Sequence, residues 1–201
     1  AGVKYVPKDM PVVLTAAVYQ LTKNKNLTSD PNDTTGWYSV QTGEIRSRGI
    51  ELEAKAAVNE NINVTAAYSY TDAEYTEDTT FNGQRPAEVP RNQASLWTDY
   101  TFYDTALSGL TFGAGVRYTG STVSYYKNVT AQKNEAFNVA GYTVADAMVK
   151  YDLGRFGLPG SSVAVNVNNL FNREYVSSCY SEYACYWGAE RQVVATATFR
   201  F

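Results

Sequence analysis

The chain has 201 residues, 44% hydrophobic and 18% charged, with a formal net charge of −3. It is long enough for one large domain. The lack of a basic run argues against a nucleic-acid partner, and the absence of histidine removes the commonest general base and a frequent metal ligand.

In chain order the sequence reads as strand after strand, because apolar residues recur at every second position. Ala1 to Val6 reads as a strand from the first residue, without a leader pattern. Ile50, Leu52, Ala54 and Ala56 oppose Gly49, Glu51, Glu53 and Lys55. Ile62, Val64, Ala66, Tyr68 and Tyr70 oppose a run of Asn, Thr, Ala and Ser. Ala94, Leu96, Thr98, Tyr100 and Phe102 form one face, with Trp97 and Asp99 on the other. Leu110, Phe112, Ala114, Val116 and Tyr118 oppose Gly113, Gly115 and Arg117. Ala145, Ala147, Val149 and Tyr151 oppose Asp146, Met148 and Lys150, and Val163, Val165 and Val167 oppose Ala164, Asn166 and Asn168. The tail ends with Val193, Ala195, Ala197, Phe199 and Phe201 on one face and Val194, Thr196, Thr198 and Arg200 on the other. Nine strands are expected, at 1–7, 11–23, 37–57, 62–73, 91–102, 109–121, 140–153, 161–171 and 189–201.

The connectors alternate in length. Those near 7–10, 58–61, 103–108 and 154–160 are short, while 24–36, 74–90, 122–139 and 172–188 are long, polar and rich in Asn, Asp, Thr and Pro. Short turns at one end and long loops at the other are the pattern of a transmembrane antiparallel β-barrel, with Phe201 at the periplasmic end. No stretch approaches the roughly 18 unbroken apolar residues of a membrane helix, but barrel strands need only alternating ones. The 17 tyrosines and three tryptophans suit its interface belts; a tyrosine-rich soluble β-sandwich is the competing reading of composition. The charged residues Glu51, Glu53, Lys55, Asp99, Arg117, Asp146, Lys150 and Arg200 fall on the lumen side. Physics requires this before it implies function, since a basic residue on the lipid side costs roughly 2–4 kcal/mol at midplane. Nine strands leave two edges, which hydrocarbon does not tolerate. The expectation is therefore a C-terminal part of a longer barrel, with assembly of several copies as the weaker alternative.

Cys179 and Cys185 are the two cysteines, spaced C-x5-C in the last long loop. A protein that passes through an oxidising compartment favours a disulfide here. A metal site competes but lacks histidine and a second thiolate pair; a catalytic thiol lacks an activating base. Tyr180, Tyr183, Tyr186 and Trp187 cluster around them. They form either a binding surface on a constrained loop or a cover for the barrel mouth. Asn-x-Thr at Asn26, Asn63 and Asn128 carries no glycosylation meaning in a bacterial outer-membrane protein, and Gly154 to Gly160 reads as a turn without a phosphate-binding lysine.

The run Val165-Asn166-Val167-Asn168-Asn169-Leu170-Phe171-Asn172-Arg173-Glu174-Tyr175 resembles the N-N-L-F-(D/N)-(K/R)-x-Y box of TonB-dependent outer-membrane receptors. Ser47-Arg48-Gly49-Ile50-Glu51-Leu52-Glu53 resembles their S-R-G-x-E-x-E strand. The cysteine loop and the tail from Cys185 to Phe201 are similar to the hydroxamate-siderophore branch of that family, and the resemblance covers essentially the whole chain. It implies an all-β fold in which residues 1–201 are the C-terminal nine strands of a 22-stranded barrel, with a plug domain that this chain does not contain. It implies uptake of ferric hydroxamate siderophores, ferrichrome-like, with ferrioxamine or coprogen as alternatives, energised by the TonB complex through the plug. The outer membrane, its lipid and lipopolysaccharide are the implied surroundings; a phage or bacteriocin docking role is compatible. No cofactor or metal bound by the protein is implied, since iron stays chelated by the transported ligand. In the family the aromatic after the first loop cysteine contributes to the siderophore pocket; here it is Tyr180, and tyrosine adds a hydroxyl to the stacking surface. A passive channel and an outer-membrane hydrolase are the readings that compete.

Overall fold

The strands form as the alternation dictates, two of them running longer than the sequence suggests and the others somewhat shorter. The structure, a computed structural model, describes residues 1–8, 10–103, 105–128 and 133–200. Phe201, the expected last residue of the closing strand, lies outside the described residues, as do Asp9 and Asp104 of two short turns and Thr130 of the Asn128 sequon.

Thirteen strands are described: β1 (Gly2–Tyr5), β2 (Val12–Ser29), β3 (Ser39–Ala57), β4 (Ile62–Glu77), β5 (Asn92–Thr101), β6 (Leu110–Thr119), β7 (Thr122–Asn128), β8 (Lys133–Val139), β9 (Tyr142–Asp152), β10 (Ser162–Asn168), β11 (Val176–Ser181), β12 (Ala184–Trp187) and β13 (Gln192–Thr198). Nine of them make one antiparallel sheet in the order β1-β2-β3-β4-β5-β6-β9-β10-β13. These are the nine expected strands, each beside its predecessor. The other four form a second sheet in the order β12-β11-β7-β8. The sequence reading took their residues for loop, and this is its main correction. Their hydrophobic alternation is short and broken by Asn, Lys and Glu, so pairing with one another, not burial of one face, makes them strands.

Boundaries shift too. β2 continues to Ser29 and β4 to Glu77, past the expected ends at 23 and 73, because their polar ends keep pairing as ladders with β3. β13 closes at Thr198, and β10 stops at Asn168, short of the expected 171. The next residue, Asn169, has a positive φ of 52°, which ends a strand and which asparagine tolerates better than most residues.

Register assigns the two faces. Leu14, Ala54, Ala66, Leu96, Val116 and Ala145 stand in one cross-strand row on the apolar face. The polar face carries a matching row, Glu53, Ala67, Ser95 and Arg117, and the strand charges expected there all fall on it. Arg200 lies beyond β13 and donates its backbone N–H to the Ser161 hydroxyl at 3.1 Å. On the same face the Trp97 indole lies flat over Gly113 and Gly115, where a Cβ would collide with it; the two glycines are the floor that lets a large ring lie against the wall.

At the turn end of the apolar face, Phe102 meets Tyr100 and Phe112 edge to face at centroid distances of 4.7 and 6.1 Å. Arg46, Arg48, Asp72 and Glu74 also share the apolar face. They sit where β3 and β4 extend toward the loops, four residues or roughly 13 Å beyond Ile50 in the case of Arg46, with Arg46 paired to Glu74 at 3.4 Å.

A single-layered wall buries little. The buried apolar residues among those described are Ala73, Val139, Val144 and Cys179. Two of these four, Val139 of β8 and Cys179 of β11, belong to the hairpins β7–β8 and β11–β12 at the loop end of the sheet. This is where the chain becomes two layers deep, and it locates the candidate site.

Candidate functional site

Two hairpins build the site. Cys179 and Cys185 face each other directly across β11 and β12 and are joined by a disulfide, so the pairing expected from their spacing is present. The β11–β12 hairpin docks on β7 through a parallel bridge between Ser181 and Tyr125. Among the described residues, no three His, Cys, Asp or Glu side chains come together in a group that could hold a metal ion.

The root of this hairpin is fixed by side chains, not by a ladder. Asn169 donates its amide to the carbonyls of Arg173 (2.8 Å) and Ala189 (3.0 Å) and accepts from the Arg173 backbone N–H (2.8 Å). It therefore spans the loop's two ends. Its own backbone N–H donates to Asp146, whose carboxylate also accepts from Arg117. Asn172 accepts from the Arg191 N–H, and Arg173 donates to the Thr143 carbonyl. Tyr142 and Tyr175 stack at 4.1 Å between centroids beside this root, with Tyr175 covering Gly188 so closely that a side chain there would clash. Asn169 and Asn172 of the N-N-L-F-N run thus act as loop anchors.

A second tether holds the loop after β4. The Asp78 carboxylate accepts from the backbone N–H groups of Thr80 (2.8 Å) and Phe81 (2.7 Å), which turns Phe81 back over Tyr75. The Arg85 guanidinium donates to the Val89 and Ser121 carbonyls. The Tyr125 hydroxyl in turn donates to the Arg85 carbonyl at 2.5 Å. Burial raises the Tyr125 phenol pKa above its ordinary value, and burial, then the nearby Arg91, lowers that of Arg85. The Tyr125 phenol stays protonated and serves as a donor.

Between these tethers lies a cavity of about 220 Å³. Tyr75 of β4, Phe81 and Ala87 of the following loop, Tyr125 of β7, Asn134 of β8, and Tyr180 and Ser181 of β11 line it. Phe81 is 5.7 Å from Tyr75 and 5.0 Å from Tyr125 between ring centroids, tilted against both. Tyr75 pairs with Ile45 two positions beyond the Ala73–Ser47 pair, so it continues the polar face and the cavity sits above that face.

Of the four aromatic candidates, the structure brings Tyr180 to this cavity while leaving its side 70% exposed. Tyr183, Tyr186 and Trp187 project outward at 91%, 58% and 74% exposure and do not line it. Sequence reasoning missed Tyr75, Phe81 and Tyr125. Tyr75 was legible as a continuation of the alternation through Ala73; Phe81 was not, because an Asx turn places it.

Three comparisons bear on the chain. The family model described as TonB dependent receptor-like, beta-barrel matches residues 1–170. The ferrichrome outer membrane transporter/phage receptor of Escherichia coli K12 is 60% identical over 200 residues, covering all of this chain and 26% of that protein. The ferrioxamine B receptor of Salmonella typhimurium SL1344 is 38% identical over 202 residues, covering all of this chain and 27% of the relative. Among solved structures, the ferric-catecholate import receptor Fiu from E. coli K12 superimposes with a TM-score of 0.73 at 26% identity, over all of this chain and 27% of its own. The unliganded ferric citrate transporter FecA does so at 0.74 and 20% identity, over all of this chain and 30% of its own, a likeness of fold. The chain spans about a quarter of the length of the curated relatives it matches.

Proposed function

This chain belongs to the TonB-dependent receptor-like β-barrel family of outer-membrane receptors, and we propose that it is the C-terminal barrel portion of a receptor that takes up ferric hydroxamate siderophores of the ferrichrome kind. The observation that carries this reading is 60% identity to the ferrichrome transporter over the full chain, against 38% to the ferrioxamine B receptor. The site supports it: a disulfide-pinned hairpin presents Tyr180 at the loop end, on the side of the polar face. Aromatic rings and hydroxyl donors suit a neutral, oxygen-rich chelate. Iron enters as cargo held by the siderophore; the protein contributes no ligand to it. The family's members are transporters and receptors, not enzymes. TonB would act on a plug outside residues 1–201, while lipid and lipopolysaccharide would meet the apolar face.

Titrating ferrichrome and ferrioxamine B into the full-length receptor, with tyrosine and tryptophan fluorescence as readout, tests the proposal. Ferrichrome should bind more tightly than ferrioxamine B. Tyr180→Ala should weaken ferrichrome about three- to tenfold, the worth of one aromatic contact, and Tyr180→Phe should weaken it less. Failure of every ferric hydroxamate to bind would sink the reading.

A second reading concerns the outward ring set. Tyr183, Tyr186 and Trp187 stand outside the cavity that Tyr180 lines and are free to meet a large partner, and one relative's name includes phage receptor. We propose the hairpin as a docking point for a phage protein; normal adsorption after deletion of residues 179–185 would refute it.

A further inference from the structure

We propose that the cavity beside Tyr180 is a subsite for a flat, uncharged aryl substituent carried by the siderophore outside its iron-chelating groups. The inference rests on the hydroxamate reading above and goes beyond it, since it concerns a part of the ligand that does not touch iron.

Size sets the first limit. A drug-sized ligand needs roughly 300–1,000 Å³, and an apolar cavity of roughly 150 Å³ accepts one benzene ring. At about 220 Å³ the cavity takes one ring with its linking atoms and not a whole chelate. Chemistry sets the second. None of its lining residues carries a charge, and four of them are aromatic: Tyr75, Phe81, Tyr125 and Tyr180. Phe81 is tilted by 30° to Tyr75 and 52° to Tyr125, so an entering ring meets both faces and edges, the offset and edge-to-face arrangements that aromatic pairs prefer. Asn134 and Ser181 supply polar groups for an amide or ester at the ring's point of attachment.

Position sets the third. Tyr180 lines the cavity and is also largely exposed, so a chelate stacked on its outer side can send a substituent past it. The walls are also held in advance. Asp78 fixes Phe81 through two backbone N–H bonds, and the Tyr125 hydroxyl is tied to the Arg85 carbonyl. A ring entering the cavity therefore pays little to order it.

The test uses two ferric trihydroxamates of the ferrioxamine type, identical except that the terminal amine is N-acetylated in one and N-benzoylated in the other. Both are titrated into the full-length receptor. The benzoyl chelate should bind about three- to tenfold more tightly than the acetyl chelate. Ala87→Phe, which fills the cavity, should bring the ratio of the two dissociation constants to about one. Phe81→Leu, which keeps an apolar wall but removes a ring, should lower the ratio and guards against a misfolded Ala87→Phe. Equal binding of the two chelates to the unmodified receptor, or an unchanged ratio in both variants, overturns the subsite while leaving the hydroxamate reading standing. Failure of both chelates to bind while ferrichrome binds also overturns the subsite, because the benzoyl group then gains nothing; failure of ferrichrome as well overturns the hydroxamate reading itself.

Discussion

The Asp146 carboxylate accepts the backbone N–H of Asn169 at 2.9 Å while the Arg117 guanidinium grips it from the other side at 2.5 and 3.0 Å. One carboxylate on β9 thus joins the neighbouring strand β6 to the first residue of the last loop. Asp146 is nearly buried, its side chain 11% exposed, and Arg117 is half-exposed. The wall of the sheet and the hairpin that carries the disulfide are mechanically one piece at this point.

Asn169→Gly removes the side-chain bonds to Arg173 and Ala189 but keeps the positive φ. Each neutral hydrogen bond is worth about 1 kcal/mol, so the loop root should loosen by about 2–3 kcal/mol. Hydrogen exchange of residues 170–189 in the full-length receptor should rise accordingly, with the sheet strands unaffected. Asn169→Ala should be worse by about 1 kcal/mol, the cost of a left-handed conformation for a residue with a Cβ. Asp146→Ala should loosen the same segment, whereas Asp146→Asn keeps an acceptor for the Asn169 N–H and should do so less. Equal exchange in all four variants would show that the root is held by something else.

Reducing the Cys179–Cys185 bond, or replacing both cysteines with serine, should free the hairpin and leave the barrel intact. Loop-closure entropy for so short a ring is worth about 2 kcal/mol. Because Cys179 is buried and pairs directly with Cys185, that loss should appear in the position of Tyr180. We expect ferrichrome binding to weaken severalfold and the melting temperature of the barrel to move little. A large fall in melting temperature with unchanged binding would contradict the assignment of the hairpin to the site.

What the sequence disclosed follows from what alternation encodes. Strict period-2 runs such as Leu110 to Tyr118 face two different solvents, so they identified both the strand and its faces, and the register agrees. The loop strands β7, β8, β11 and β12 sit among loops, where no lipid face imposes a pattern, and were invisible. The site divided in the same way. Tyr180 and the disulfide were legible from local spacing and resemblance. Phe81 and Tyr125 meet across 44 residues of chain by virtue of an Asx turn and an Arg85 tether, which no local pattern announces.

The face assignment makes a sharp prediction at two adjacent alanines. Ala66 lies in the apolar row with Ala54 and Leu96; Ala67 lies beside Glu53 and Ser95 on the polar face. Ala66→Lys should destabilise the assembled barrel by about 2–4 kcal/mol, the cost of a basic residue facing lipid near midplane. Ala67→Lys should cost far less, since a charge on the polar face keeps its water and stands beside the Glu53–Lys55 pair. Heat-modifiable migration of the receptor in membranes reads this out. Equal damage from the two substitutions would mean that the faces are assigned wrongly.

The tip of the β2–β3 hairpin should respond to acid in a window set by Asp33. Its carboxylate accepts the Thr35 hydroxyl and the backbone N–H groups of Thr35 and Tyr38. These bonds, the Thr35 hydroxyl first, lower its pKa from 3.8 to about 2. A carboxyl depressed in the folded state stabilises above its unfolded value and loses that contribution as pH falls through its folded one. The ordered turn at 30–38 should therefore persist at pH 4, weaken below it, and be lost near pH 2. Asp33→Asn, which keeps an acceptor but no charge, should flatten that pH dependence. Fluorescence of Trp37, 88% exposed at this tip, is a local probe when every other tryptophan of the receptor is replaced by phenylalanine. A transition centred near pH 4 would show that the carboxylate is not held by these bonds, because an untethered aspartate titrates there.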